Sequence, residues 1–301
     1  MAIELRQITL LDRDWISRLV QSVSGTTLEY NFTTAFIWRD IYQFRVAEHD
    51  EFLLLASGRE KPAFLYPCGT GDKKAVLDLV LGYFAQIGQP AVFYSVSAAG
   101  KAELEQLYPG CFSFTHNRDS ADYIYEAESL RTLAGKKLSA KRNHINRFVE
   151  AYPDWSYERI TAGNIDAVYA MNQRWCSMAD CKKDPGLREE SCAVEQAFRH
   201  FFDLGLDGGL LRAGGEVVAY SMGDRLNCDT YLVHIEKAFA DIQGAYPMIN
   251  KQFVLHNCEG YCYIDREDDA GDAGLRKAKL SYRPAHIAEK YTARQVSRIR
   301  C

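Results

Sequence analysis

Long apolar runs are missing from this 301-residue chain. No stretch reaches the roughly 18 consecutive apolar residues that indicate a membrane-spanning helix. Residues 1–6 also lack the basic segment and following apolar core of a secretory signal. We therefore expect no integral membrane association and a cytoplasmic location.

Several catalytic and metal-binding motifs are missing as well. The chain has no Gly-x-Ser-x-Gly element, P-loop or His-Glu-x-x-His pair, which argues against hydrolases, nucleoside triphosphatases and zinc proteases of those types. The nine cysteines are odd in number and irregularly spaced. The pairs Cys176/Cys181 and Cys258/Cys262 lack the second Cys-x-x-Cys element or nearby histidines of a structural zinc site. We expect reduced thiols, no metal and no tightly bound cofactor.

Charge of neither sign dominates the composition. Lysine and arginine total 36 against 40 acidic residues, which gives a net charge of −4 and a pI near 6.0. This balance argues against a dedicated nucleic-acid binder, although it allows a local basic face. A hydrophobic content of 47% is enough for one large core or two ordinary ones.

Apolar spacing and turn residues divide the chain into two similar series of elements. The first series comprises helices at 12–23 and 33–38, strands at 42–47, 52–56 and 63–66, a helix after Gly69-Thr70-Gly71, a strand at 91–96, a helix at 99–107, and strands at 111–115 and 123–126. The second comprises a long basic helix at 130–151, a strand at 155–160, helices at 164–177 and 190–202, strands at 209–212, 217–224 and 231–235, a helix at 246–256, a strand at 261–265 and a helix at 274–282. The repeated order predicts two copies of one α/β unit, residues 1–126 and 127–301.

Two strand-to-helix turns in the second half are candidate binding sites. One contains Gln243-Gly244-Ala245-Tyr246, and the other precedes a helix carrying Arg276 and Lys277. Backbone N–H groups at a helix start have no intrahelical partner and lie at the positive end of the helix dipole. Both turns are therefore predicted to suit a phosphate or carboxylate.

The order of elements is similar to the GNAT acyltransferase fold. More specifically, segments 135–148, 233–237, 244–246 and 265–282, with Asn250, resemble an uncharacterised bacterial family related to the C-terminal domain of phosphatidylglycerol lysyltransferase. The basic helix followed by a strand also resembles the Fem peptidoglycan transferases.

This resemblance implies an α/β (α+β) fold of two tandem GNAT-like units, each a mixed, mostly antiparallel sheet flanked by helices. It implies transfer of an acyl or aminoacyl group from acyl-CoA or aminoacyl-tRNA to an amine or hydroxyl, mainly by the second unit. The donor's phosphates would bind near Gln243, Gly244, Ala245, Tyr246, Asn250, Arg276 and Lys277. Because no membrane domain is predicted, the resemblance does not establish a lipid acceptor.

Glu236 and Tyr282 are the catalytic candidates. Glu236 ends a predicted strand directly before the first turn, where a carboxylate is placed to remove a proton from an attacking amine. A salt bridge to Lys237 or Arg266 is the alternative explanation. Tyr282 is a candidate to protonate the leaving group, and packing is the alternative explanation, since the chain has eighteen tyrosines.

The acidic segment at the second turn predicts contact with the amine of a substrate. Its candidate residues are Asp265, Arg266, Glu267 and Asp268. Acids before a helix and bases near its end are also what the helix dipole favours, so capping is the alternative. His234, within a strand, is expected to be a buried structural imidazole.

The basic helix is a candidate surface for tRNA. Its cations are unbalanced by acids between 130 and 147, and Lys137, Lys141 and Arg142 are the candidate RNA or phosphate contacts. A solvated helix face is the alternative. For the whole chain, a non-enzymatic GNAT-like module that binds a small anion or a protein partner is the rival interpretation, and the oligomeric state stays open.

Overall fold

A computed structural model describes residues 3–21, 23, 25 and 27–296. The chain forms two compact units. The first contains the described residues up to Asp122, residues 268–273 and those from Ile287 onward, and the second contains Tyr123–Glu267 and Gly274–His286. The chain therefore leaves the first unit near the predicted join at 126/127, but it returns to that unit twice.

The elements of the first unit follow the predicted order. In the chain up to residue 116 they are β1 (Arg6–Gln7), α1 (Arg13–Gln21), α2 (Phe32–Ile37), β2 (Arg45–His49), β3 (Phe52–Ser57), β4 (Ala63–Leu65), β5 (Cys68–Gly69), α3 (Lys73–Gln86), β6 (Val92–Val96), α4 (Ala98–Leu107) and β7 (Phe112–His116). Asp72 caps α3, because its side chain accepts the Ala75 N–H at 3.0 Å.

The elements after residue 121 belong mainly to the second unit. They are β8 (Asp122–Glu126), α5 (Ala127–Thr132), α6 (Ser139–Ala151), β9 (Ser156–Arg159), α7 (Ile165–Met178), α8 (Pro185–Arg199), α9 (Phe201–Leu204), β10 (Asp207–Ala213), β11 (Glu216–Arg225), β12 (Thr230–Ala238), α10 (Ala245–Asn257), β13 (Tyr263–Asp265), α11 (Ala273–Leu280), β14 (His286–Ala288) and β15 (Tyr291–Gln295).

Each unit is built on a mixed sheet. The first has the order β1-β2-β3-β4-β6-β15-β7 with β5 beside β3, and the second has the order β14-β8-β13-β12-β11-β10-β9. Within the first sheet β4 and β6 are parallel, and within the second β12 and β13 are parallel. The other described pairings in both sheets are antiparallel. The predicted fold class, mixed and mostly antiparallel sheets flanked by helices, is confirmed.

The predicted basic helix at 130–151 is wrong as a single element. Leu133 and Gly135 have φ values of 51° and 84°, which end α5 and separate it from α6. The strand β15 was not predicted, because its pairing with β6 and β7 joins residues far apart in sequence. Because β15 and residues 268–273 both belong to the first unit, no single boundary in the sequence separates the two units.

The expectation of reduced thiols is wrong at one pair. Cys176 and Cys181 are joined as a disulfide, because a turn through Asp180, with φ of 55°, brings their Cα atoms to 5.3 Å. Six other cysteines among the described residues are free. Over residues 3–21, 23, 25 and 27–296, no helix has both the length and the apolar character needed to span a membrane.

Candidate functional site

The site in the second unit begins where two parallel strands separate. The last paired residues of β12 and β13 are Leu232 and Asp265, after which β12 continues to Ala238. Ligands of α/β sheets commonly bind at the carboxyl ends of strands where the connections diverge. Glu236 and Arg266 extend from these ends.

Both oxygens of the Glu236 carboxylate are engaged. The Arg266 Nη2 donates to Oε1 at 2.8 Å, and the Asn250 Nδ2 of α10 donates to Oε2 at 3.0 Å. The side chains of Glu236 and Arg266 are each 11% exposed. The salt bridge considered as the alternative for Glu236 is therefore present, and its role as a base stays a prediction.

Two polar atoms beside this carboxylate are buried and have no hydrogen-bond partner among the residues that the structure describes. They are the Nη1 of Arg266, a donor, and the Oδ1 of Asn250, an acceptor. Buried polar groups in folded proteins are nearly always satisfied, so each such atom calls for an explanation. A bound group that carries one acceptor and one donor would satisfy both atoms.

Tyr282 lies between two cations. The guanidinium carbon of Arg266 is 4.7 Å from the centre of its ring, and the Lys141 Nζ of α6 is 3.8 Å from it. Burial raises the pKa of Tyr282, so the phenol remains protonated near neutral pH. The ring packs against Arg266 and Lys141, and the role of Tyr282 as a proton donor stays a prediction.

Lys141 is placed differently from its prediction. Burial lowers the pKa of its ammonium to about 8, repulsion from Arg266 adds to the shift, and Glu236 opposes it. Lys141 therefore lies against Tyr282 and interacts with Arg266 and Glu236, and it is not part of an open basic face.

Arg142 and Lys137, the other two candidates of the basic helix, have different surroundings from Lys141. Arg142 donates to the carbonyls of Leu133 and Gly135, where α5 ends. Lys137 is exposed before α6. Of Lys137, Lys141 and Arg142, Lys137 alone is exposed, and a shared phosphate-binding surface stays a prediction.

His234 is buried, as expected, and carries a charge. Its Nε2 lies 3.1 Å from Asp224 and its Nδ1 lies 3.1 Å from Glu267. Although burial opposes the imidazolium, attraction to Asp224 and hydrogen bonds to both carboxylates raise the pKa to about 10. Glu267, which was predicted to bind substrate, is therefore paired with His234.

The predicted donor turn packs against α6. Gly244 has a φ of 86°, and a Cβ at this position would lie 2.2 Å from the His144 carbonyl oxygen and 2.9 Å from the Phe148 Cβ. This close approach is a sufficient reason for glycine here. Gln243 is exposed beside it.

Few amides are free at the start of α10. The Ala245 N–H donates to the Ile242 carbonyl at 3.2 Å, and Pro247 has no N–H. Of the first three residues of this helix, only Tyr246 retains an amide for a phosphate. Pro247, which is visible in the sequence, reduces the number of amides that this helix start offers, and the phosphate site here stays a prediction.

The remaining candidates are dispersed. The Asp265 Oδ1 accepts the Glu267 N–H at 2.8 Å, and the Asp268 Oδ1 accepts the Ala270 N–H at 3.1 Å within the first unit. Arg276 is partly buried and Lys277 is exposed, both on α11. The carboxylates of Asp265 and Asp268 thus bond to amides of the turn before α11, and their contact with a substrate amine stays a prediction.

Comparison with known proteins supports the family resemblance inferred from the residues. The family described as phosphatidylglycerol lysyltransferase, C-terminal, matches residues 22–294. An uncharacterized protein of Mycoplasmoides gallisepticum is 27% identical over 235 residues, which cover 73% of this chain and 70% of that protein.

Solved structures share the fold. A conserved protein of unknown function from Bacteroides thetaiotaomicron is 40% identical, with a TM-score of 0.94 over 98% of this chain and 100% of that chain. The C-terminal domain of a putative lysylphosphatidylglycerol synthetase from Agrobacterium fabrum is 13% identical, with a TM-score of 0.67 over 95% of this chain and 92% of that chain. Because the family match extends over nearly the whole sequence, this chain belongs to the family of phosphatidylglycerol lysyltransferase C-terminal domains.

Proposed function

We propose that the second unit transfers an acyl or aminoacyl group from a carrier to an amine or hydroxyl acceptor. Family membership supports transfer of this kind, since one relative of the same fold is a putative lysylphosphatidylglycerol synthetase domain. The observation that carries the proposal is the buried Glu236 carboxylate with an unfilled donor on Arg266 and an unfilled acceptor on Asn250.

Glu236 receives the proton of the attacking group. Each carboxylate oxygen accepts at two lone-pair positions, so the single donors from Arg266 and Asn250 leave capacity on both oxygens. As the amine or hydroxyl attacks the carbonyl carbon, its proton passes to the carboxylate.

Arg266 stabilises the oxygen of the attacked carbonyl. Its Nη1 is a buried donor with no partner, and negative charge develops on that oxygen as the tetrahedral intermediate forms. Tyr282, protonated and in contact with Arg266, supplies a proton to the departing oxygen or sulfur. The phenolate that this leaves takes up a proton from solvent, which restores the protonated form of Tyr282.

The contacts favour an aminoacyl donor over a simple acyl donor. An aminoacyl group carries an amine beside its carbonyl, so one ligand satisfies both the Asn250 acceptor and the Arg266 donor. An acetyl group has no such donor. The single free amide at the start of α10 also provides little for the pyrophosphate of coenzyme A. We therefore place aminoacyl-tRNA ahead of acyl-CoA as the carrier.

A non-enzymatic module is the second candidate. The ion pair between Glu236 and Arg266 favours it, because such a pair also serves as a fixed structural contact. A module of this kind binds a small anionic ligand or a protein partner and leaves both donors intact.

Binding of charged and uncharged tRNA tests the donor. The same tRNA is compared with and without its aminoacyl group by filter binding at several salt concentrations, because phosphate contacts make affinity strongly salt-dependent. We expect the charged form to bind about tenfold more tightly, since a hydrogen bond to a charged group contributes about 1.5–3 kcal/mol.

The Asn250→Leu variant should bring this ratio close to one. Gln252→Leu is the matched control, because Gln252 lies on the same helix and its amide donates to the Met248 sulfur. Equal binding of both tRNA forms, with tight binding of acetyl-CoA, would transfer the proposal to acyl-CoA. Binding of neither carrier would favour the non-enzymatic module.

A further inference from the structure

The first unit contains a cavity beyond the ends of two parallel strands. Leu65 of β4 pairs with Tyr94 of β6, and a cavity of about 340 Å³ is lined by residues that follow these strands, including Pro67 and Ser97. Small-molecule sites usually have volumes of about 300–1,000 Å³. The cavity is therefore of a size for a small metabolite.

One cation of this cavity is already neutralised. The Lys290 Nζ lies 2.8 Å from Glu29 and 2.7 Å from Asp122, and its side chain is 2% exposed. Burial opposes the charge, but the attraction of Asp122 and Glu29 raises the pKa of Lys290. Lys290 needs no further anion.

Lys73 is the second cation of the cavity. Its Nζ donates to the Pro67 carbonyl at 2.6 Å and lies 5.0 Å and 5.2 Å from the ring centres of Phe52 and Tyr66. Within the described part of the chain, no carboxylate forms an ion pair with it. An ammonium has three donors, so two remain for a ligand. Burial lowers the pKa of Lys73, while attraction to Glu103 and to Cys68 opposes the shift.

Glu103 is the corresponding anion. Its Oε2 accepts the Tyr66 hydroxyl at 2.6 Å, and no described basic residue forms an ion pair with it. Glu289 also lines the cavity, but its side chain is 56% exposed and lies 4.0 Å from His116. The cavity thus holds one cation and one anion that attract each other but, among the described residues, form no ion pair.

We propose that this cavity binds a small free α-amino acid, with the ligand's carboxylate at Lys73 and its ammonium at Glu103. A zwitterion supplies a counter-charge to both residues, whereas a simple anion leaves Glu103 unpaired and a simple amine leaves Lys73 unpaired. The site lies entirely within the first unit and is independent of the transfer reaction proposed for the second.

Thermal denaturation with each of the common L-amino acids tests the proposal, because a ligand that binds only the folded state raises Tm. The most stabilising amino acid is then compared with its deaminated acid and its decarboxylated amine. We expect either loss of charge to weaken binding about ten- to a hundredfold. Lys73→Met and Glu103→Gln should each do the same.

Lys74→Met is the matched control. Lys74 is the next residue on α3 and forms an exposed pair with Asp78, so its removal should leave amino-acid binding unchanged. Glu236→Gln should also leave it unchanged, which separates this site from the one in the second unit. The proposal is overturned if no amino acid raises Tm, if the deaminated acid binds as tightly as the amino acid, or if Lys73→Met binds normally.

Discussion

The two units place different side chains beyond the same supersecondary element, a pair of parallel strands. In the first, the ends of β4 and β6 border an open cavity in which Lys73 and Glu103 are unpaired. In the second, beyond the paired ends of β12 and β13, Glu236 is closed in by Arg266 and Asn250. A parallel strand pair therefore determines where a site forms, while the side chains beyond its ends determine whether charges are paired or left for a ligand.

The glycine turns also differ in what they approach. In the second unit Gly244 faces the His144 carbonyl of α6. In the first unit a Cβ on Gly69 would lie 2.0 Å from the Glu51 carbonyl oxygen, in the turn between β2 and β3. Both glycines permit close contact with backbone, so a glycine-containing turn in this chain indicates packing before it indicates phosphate binding.

Replacing the buried cations should have the largest effect on the free energy of unfolding. Arg266→Met removes the cation beside one buried carboxylate, Glu236, and Lys290→Met removes the cation beside two, Glu29 and Asp122. Breaking a buried pair costs about 3–5 kcal/mol, so we expect Arg266→Met in this range and Lys290→Met at or above its upper end. Denaturant unfolding measures both.

Arg212→Met is the control for these variants. Arg212 pairs with Glu158 at 2.7 Å, but the two side chains are 30% and 38% exposed. A pair with this exposure contributes about 1 kcal/mol or less. If Arg212→Met were as destabilising as Arg266→Met, burial would not be the reason for the importance of the Glu236 pair.

The glycine turns should show the next largest effect. A methyl group at Gly244 meets both an unfavourable φ and the His144 oxygen, so Gly244→Ala should destabilise the protein by about 2–4 kcal/mol. Gly260 has a similar φ of 84° with nothing within 4 Å, and Gly260→Ala should cost about 1 kcal/mol. If the two variants lost equal stability in thermal denaturation, the positive φ, and not the packing of α6, would be the reason for glycine at 244.

The smallest expected effect is the pH response of Lys141. Its pKa is lowered to about 8 from the usual 10.5, so between these values the unfolded chain binds more protons than the folded one. Stability should therefore rise with pH over this interval relative to Lys141→Met, and the two proteins should run parallel below about pH 8. Denaturant midpoints across this range give the comparison, and parallel curves throughout would place Lys141 in water.

Local patterns predicted most of the fold. The elements α3, β6 and α10 lie within a few residues of their predicted positions, because apolar spacing and turn residues are local signals. The strand β15 was missed because its partners, β6 and β7, lie far away in sequence. No local pattern shows that the chain returns to the first sheet.

The site was predictable only in part. Glu236 and Tyr282 were found from their positions at a strand end and after a turn, and the structure places both beside Arg266. Lys141 was assigned to a basic face, because helical spacing shows which residues share a side but not what packs against it. The unpaired atoms of Asn250 and Arg266 depend on contacts between α10, β12 and β13, which the sequence does not display.

Consumption of the donor under single-turnover conditions tests the central claim most directly. The purified protein is mixed in excess with a labelled aminoacyl-tRNA, and separately with a labelled acyl-CoA, and loss of the donor ester or thioester is followed with and without a simple amine acceptor. We predict that the wild-type protein accelerates cleavage of aminoacyl-tRNA in the presence of the amine, and that Glu236→Gln lowers this rate by about 10²–10⁴-fold. A Glu236→Gln rate equal to wild type, or no cleavage of either donor, would contradict the assignment of transfer to this site.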